Sequence, residues 1–284
     1  MIQNLRQIKS RIKSIENTRK ITRAMETISA AKLSRIKNSL HAARSYSISL
    51  ESVLKRILRD IPAVENPLIK KRETVKNIAV CIIASDTGLC GTYNNNIIKL
   101  TEAFISNYDR GNVRVIAVGK EVFAYFKNKG YSITRAHIGL YGRYSIKISQ
   151  ELVSELTAIF LSKETDEVYV AYTHFKTSLR HSPVVEKFLN IDRDEGKGTH
   201  YILEPDAETI LNETIPRYLA ARMNTVIMDA FTAEHSARML AMKIATDNAE
   251  ELIDALTLMR NKARQAQITK EVIEIAMAAE AVKE

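Results

Sequence analysis

The sequence contains no glycine or proline before Pro62 and none after Pro216, which leaves runs of 61 and 68 residues free of backbone breakers. Runs of this length predict long helices. At 1.5 Å per residue each reaches roughly 90 to 100 Å, whereas a compact chain of this size has a radius of gyration of about 19 Å. Such helices extend past any globule the rest of the chain can form, so each needs a partner for its apolar face.

Apolar residues recur at helical spacing in both runs. Leu5, Ile8, Ile12 and Ile15 advance by 3, 4 and 3, and a stripe resumes with Ile21, Met25, Ile28, Ile36, Leu40 and Ala43. Between the two, Arg19 and Thr22 interrupt the pattern, which reads as a shift of register. In the C-terminal run Ala237, Ala241, Ile244, Asn248, Leu252, Ala255, Met259, Ala263 and Ala266 advance by 4 and 3, close to the period of a straight helix. The alanines allow close backbone approach. The two runs are therefore expected to pack together as an antiparallel coiled coil.

Between them the period changes. Four short apolar runs, at 77–84, 113–119, 131–137 and 167–173, read as strands, separated by helical stretches such as Asn94 to Tyr108 and Lys120 to Asn128. This alternation predicts a Rossmann-like α/β domain with a mainly parallel sheet. The expected fold class is thus α/β with a long antiparallel coiled coil: residues 1–60 and 206–284 form the coiled helices and residues 61–205 the central domain.

Charge is concentrated at one end. The net charge is +9, yet residues 1–59 carry 14 Lys/Arg against 3 Glu, a balance of +11, so the remainder sums to −2. A basic helix suits an acidic protein partner, an anionic membrane surface or nucleic acid, and equally a plain solvated face. No aromatic residue able to stack on bases precedes Tyr46, which weighs against nucleic acid. The opening MIQNLRQIKSRIK has charges every few positions, unlike a secretory or membrane segment, and predicts a cytoplasm-like compartment.

The stretch SDTGLCGTYNNN, residues 85–96, follows the first strand and is where a doubly wound domain binds phosphates. Only Gly88 and Gly91 are present, short of the three-glycine dinucleotide fingerprint, and no Lys-Ser/Thr completes a phosphate loop. Cys90 lacks a histidine base nearby in sequence. A tight strand-to-helix turn is the simpler reading, and no cofactor or metal is expected. An enzyme using the 85–91 loop and a basic coiled-coil protein binding nucleic acid stay open as alternatives.

Several motifs carry a family resemblance over essentially the whole length. KITRAMETISAAKL (Lys20 to Leu33), SDTGLCG (with Thr87 where the family has Arg), EHSARMLAMKIATDN (Glu234 to Asn248) and NKARQAQITKEVIEI (Asn261 to Ile275) resemble the γ subunit of the F-type ATP synthase. The C-terminal AMAAEAVKE departs from it, lacking the glycines usual near Met277 and Ala278. The resemblance implies a non-catalytic rotor shaft. Its terminal helices turn inside a ring of α and β subunits, and its α/β domain lies near the membrane. It passes rotation of the proton-conducting ring of c subunits to the catalytic sites. It further implies that Arg264 and Gln265 hydrogen-bond a β subunit, with Lys20, Arg23 and Met25 in the motif facing that region. Tyr201, Glu204 and Asp206 would then sit near the membrane ring and the ε subunit, although Asp206 also suits a helix cap. The implied location is the cytoplasmic face of the bacterial inner membrane, with attachment through the complex and no nucleic acid bound.

Overall fold

The computed structural model describes residues 5–60, 66–70, 72, 74–192, 204 and 206–281. In chain order the elements are α1 (Leu5–Asp60), β1 (Ile78–Ile83), α2 (Tyr93–Ile105), β2 (Val113–Val118), α3 (Lys120–Asn128), β3 (Ser132–His137), α4 (Ile146–Leu161), β4 (Glu167–Thr177), β5 (Arg180–Leu189) and α5 (Ala207–Ala281). They fall into two compact units, one made of Met1–Ile28 with Met239–Glu284 and the other of Ser29–Arg238. The stretch before Pro216 is also helical, so α5 runs through that proline.

In the first unit α1 and α5 are antiparallel. Ile8 and Ile12 are buried with Leu256, and Ile15, Ile253 and Ala263 pack against them. Burial of side chains of this size contributes roughly 1.5 to 3 kcal/mol each. Further along α1 the partners on α5 move back in sequence: Arg19 pairs with Glu250 at 3.0 Å and Thr22 Oγ1 meets Thr246 Oγ1 at 2.8 Å.

Two expectations need correction. The register of α1 does not shift at Arg19 and Thr22; these residues continue the first stripe, because each finds a polar partner on α5. Ile21 and Ile28, assigned to a resumed stripe, are instead 59% and 56% exposed. On α5 the covered seam is Met242, Thr246, Ala249, Ile253 and Leu256, and the series through Ile244, Leu252 and Met259 lies on an exposed face. The helix has two apolar faces, and spacing alone does not say which one its neighbour covers.

In the second unit the sheet order is β3-β2-β1-β4-β5, with parallel pairing from β3 through β4 and an antiparallel β5. All six residues of β1 are buried, which explains its unbroken apolar run. The strand β5 lies outside the four expected runs. It carries Pro183 and few buried residues, a composition that an edge strand tolerates and that conceals it in sequence. Along α1, Leu33, Ile36, Leu40, Leu54, Ile57 and Leu58 are buried, and Thr225 Oγ1 of α5 donates to Ala43 O at 3.3 Å.

Where β2 ends, Gly119 adopts φ +104°, and a Cβ there would lie 2.4 Å from Ala84 O. Gly88 in the 85–91 turn has open space around it. Gly119→Ala is therefore expected to cost at least about 2 kcal/mol in urea unfolding, whereas Gly88→Ala changes the midpoint little.

Candidate functional site

The sheet reverses its strand order between β1 and β4, and the turn after β1 lies at the crevice where open α/β sheets take ligands. In this protein the N–H groups on the β2 and β3 side of that turn are met by one of the chain's own side chains. Asp86, 8% exposed, accepts hydrogen bonds from Lys120 N and Gly139 N at 3.0 Å and from Tyr141 N at 2.7 Å. One of these donors is at the first turn of α3, the position at which a phosphate would sit.

The turn's carbonyls are held by α5. Arg238 Nη2 donates to Thr87 O at 2.9 Å and to Thr87 Oγ1 at 3.1 Å, while Nη1 pairs with Glu234 at 2.7 Å. Both side chains are almost wholly buried. Burial pushes the Glu234 carboxyl above its usual range, and the Arg238 charge opposes that rise. Ser85 and Asn94 close the turn from within: Ser85 N donates to Asn94 Oδ1 at 3.1 Å and Asn94 Nδ2 to Ser85 Oγ at 2.8 Å.

Cys90 is 2% exposed and burial raises its thiol pKa, with Ser85 and Arg238 acting in the other direction. It receives a contact from Asn94 Nδ2 at 3.4 Å. A buried, protonated thiol held among amides is a packing residue, so the structure does not favour an enzyme working through this loop.

Further contacts tie α5 to the loops around it. Tyr93 OH donates to Ala230 O at 3.0 Å, His235 Nε2 to Gly142 O at 3.0 Å and Ser236 Oγ to Ser178 O at 2.8 Å. Asp229 accepts from Arg44, from His174 Nδ1 at 3.0 Å and from Phe175 N at 3.3 Å. Asp86 and Arg238 lie inside the SDTGLCG and EHSARMLAMKIATDN motifs, but no role for either follows from the sequence, and Asp229, a lone charge in VIMDAF, carries no motif of its own. At the loop surface Leu89 and Tyr141 have φ of +60° and +49° and are 64% and 52% exposed, so strained backbone presents two large apolar side chains.

The expected contact residues are distributed as follows. Arg264 and Gln265 are exposed on α5, beside the half-buried Ala263 that packs on the Ile8 cluster. Lys20 and Arg23 are exposed on α1 and Met25 is half-buried. They flank Thr22, which meets Thr246, so about 18 residues of α5, roughly 27 Å, separate their level from that of Arg264. The two sets are not brought together. Glu204 is exposed, and Asp206 caps α5 by accepting from Thr209 N at 2.8 Å and Thr209 Oγ1 at 2.7 Å, bonds that lower its pKa. Tyr201 lies outside the described residues.

Fold and site together define a protein of paired long helices with an α/β domain whose first strand-to-helix turn is held by one of those helices. The ATP synthase family pattern matches residues 4–282. Relatives named ATP synthase gamma chain include those of Pelotomaculum thermopropionicum, 37% identical, with 99% of each chain covered. That of Chloroherpeton thalassium is 34% identical, with 99% of this chain and 98% of its own covered. Among solved structures, the rotor of the Euglena gracilis mitochondrial ATP synthase superimposes with a TM-score of 0.67 at 15% identity, over 93% of this chain and 98% of its own. A chain from the central stalk/c-ring structure of the Tetrahymena thermophila enzyme gives a TM-score of 0.63 at 20% identity, over 79% and 99%. The chain belongs to the ATP synthase gamma chain family.

His235 yields a pH prediction. Burial holds its pKa down to about 4, against 6.5 for a free histidine, and Lys32 and Arg238 act in the same direction. Between these values the unfolded chain binds a proton that the folded chain does not, so stability is full above pH 6.5 and is lost as pH falls toward 4. The loss from this group is roughly 3 kcal/mol. Chemical denaturation across that range is expected to show it, with a flatter slope in His235→Asn.

Proposed function

We propose that the chain is the central rotor shaft of an F-type ATP synthase, carrying rotation of the membrane c-subunit ring to the catalytic sites of the α/β ring and so coupling proton flow to ATP synthesis. The observation that best supports this reading is the end of α5. Leu258, Met259, Ile268, Val272, Ile273, Ile275 and Met277 are all at least half exposed, in a helix whose described residues from 264 onward are exposed on every side. Apolar surface of this extent on a regular helix calls for a surrounding partner. On α1, Lys9, Arg11, Lys13, Lys20 and Arg23 are exposed and offer cations to acidic loops, each contact weak and replaceable as the shaft turns.

In this role the chain performs no catalysis itself; the Asp86 contacts and the buried Cys90 fit a mechanical part. Arg264, Gln265, Lys20, Arg23 and Met25 contact β subunits at two levels of the ring, and Tyr201, Glu204 and Asp206 adjoin the ε subunit and the c ring. Attachment at the cytoplasmic face of a bacterial inner membrane is indirect. Among the described residues no helix is long and apolar enough to cross a membrane.

Replacing Arg264 and Gln265 together by alanine tests the shaft contact. Alanine is the best helix former, so thermal unfolding of the complex is expected to change little. A hydrogen bond from a charged group is worth roughly 1.5 to 3 kcal/mol, so losing one made at a single rotary position slows turnover about ten- to a hundredfold. ATPase and proton-pumping rates of the purified complex, with subunit stoichiometry checked, read this out. Normal rates in a normally assembled variant return both residues to a solvated face.

A further inference from the structure

The turn joining β4 to β5 and the facing side of α1 border an open pocket of about 430 Å³. The volume is that of a small-molecule site. From α1, Lys37, Leu40, His41 and Arg44 line it at successive helical steps, and Phe175, Lys176 and Leu179 face them.

Charge and apolar surface are both present. Lys37, Arg44 and Lys176 bring three cations, and no carboxylate is among the lining residues. Arg44 is held in place: its Nη2 donates to Phe175 O at 2.5 Å and pairs with Asp229, which is 2% exposed behind it. One carboxylate against three cations leaves an excess of two positive charges at the pocket. Leu40 and Phe175 add buried apolar walls.

Leu179 is the feature the fold does not explain. Thr177 pairs with Arg180, so Ser178 and Leu179 form a two-residue hairpin loop, and neither residue has the positive φ that would call for glycine or asparagine there. Leu179 is 74% exposed and so gains little from folding. Its position is nonetheless fixed, since Ser236 on α5 donates to the carbonyl of the preceding Ser178 at 2.8 Å. An apolar side chain is thus presented at the rim of a cationic pocket.

We infer that this pocket binds a small organic dianion with an apolar body, a phosphate monoester of an aromatic or short-chain alcohol being the class that fits. The phosphate oxygens accept from Lys37, Lys176 and Arg44, whose guanidinium is already oriented by Asp229. The body lies against Leu40, Phe175 and Leu179. This is separate from the mechanical role proposed above and does not depend on it.

Calorimetric titration of the full-length chain with phenyl phosphate tests the inference. Saturable binding at one site per chain is expected, weakening as salt is added. Inorganic phosphate and phenol, each carrying half of the recognised chemistry, should bind at least about tenfold more weakly. Lys37 and Lys176 are both exposed, so Lys37→Gln with Lys176→Gln should reduce affinity about tenfold or more without moving the melting temperature. Leu179→Ser should weaken the ester severalfold and leave inorganic phosphate unaffected. No saturable binding at millimolar ester, or unchanged affinity in the double lysine variant, overturns the inference. So does inorganic phosphate binding as tightly as the ester. Displacement of the ester by a Glu-rich peptide at lower concentration overturns it in favour of a contact for an acidic protein segment.

Discussion

A single helix, α5, passes through three environments, and the rest of the structure is arranged around that fact. Residues 226–238 are buried on every side, so loops from the sheet must close over them. From Met242 to Ala263 one stripe is covered by α1, and from 264 onward the described residues are exposed all round. Helix propensity is uniform enough to carry one continuous element through all three, but packing differs in each. Where α5 is enclosed, most of its charged and polar side chains are paired: Asp229, His235, Ser236 and Arg238 each make a specific bond to a neighbouring loop or helix, and Glu234 pairs with Arg238 one turn along α5 itself.

Polar contacts on the helices have a second consequence. An antiparallel seam of mostly apolar side chains is nearly self-similar after each repeat, so apolar burial alone sets its register weakly. Arg19 with Glu250 and Thr22 with Thr246 allow one register in the first unit. Arg44 with Asp229 and Thr225 with Ala43 O do so in the second. Exposed ion pairs such as Arg19–Glu250 add little stability, and buried ones offset much of their attraction by desolvation. Their contribution is to fix which residues face which, a requirement for a helical pair that must hold alignment under load.

The paired helices and the four parallel strands were legible because they depend on local patterns: absence of breakers, a period of 3.6, and short β-branched runs. What was not legible depended on the partner. The interruption at Arg19 and Thr22 looked like a change of register because polar residues in an apolar stripe make sense only when Glu250 and Thr246 are seen opposite. The α5 stripe was displaced by a few positions onto Ile244, Leu252 and Met259, since alanine fits either face of such a helix equally well. Strand β5 escaped notice because an edge strand with Pro183 lacks both the alternation and the apolar density of its neighbours. At the 85–91 turn nothing local revealed that Arg238, some 150 positions away, holds the turn's carbonyls.

That clamp changes what the α/β domain is for. In a doubly wound sheet, N–H groups at the strand ends and helix N-termini converge on the crevice at the switch point, and an anion there gains from all of them at once. Asp86, beside that point, supplies an anion from within the chain to three backbone N–H groups, one at the start of α3 and two in the loop after β3. Arg238 then meets the carbonyls that the same turn leaves facing α5. A geometry that elsewhere holds a ligand here joins a sheet to a helix by charged hydrogen bonds, which are directional in a way that apolar contact is not. The attachment of the sheet to this part of α5 is therefore set by preorganised polar groups directed at the junction itself, where apolar contact alone would leave the orientation loose.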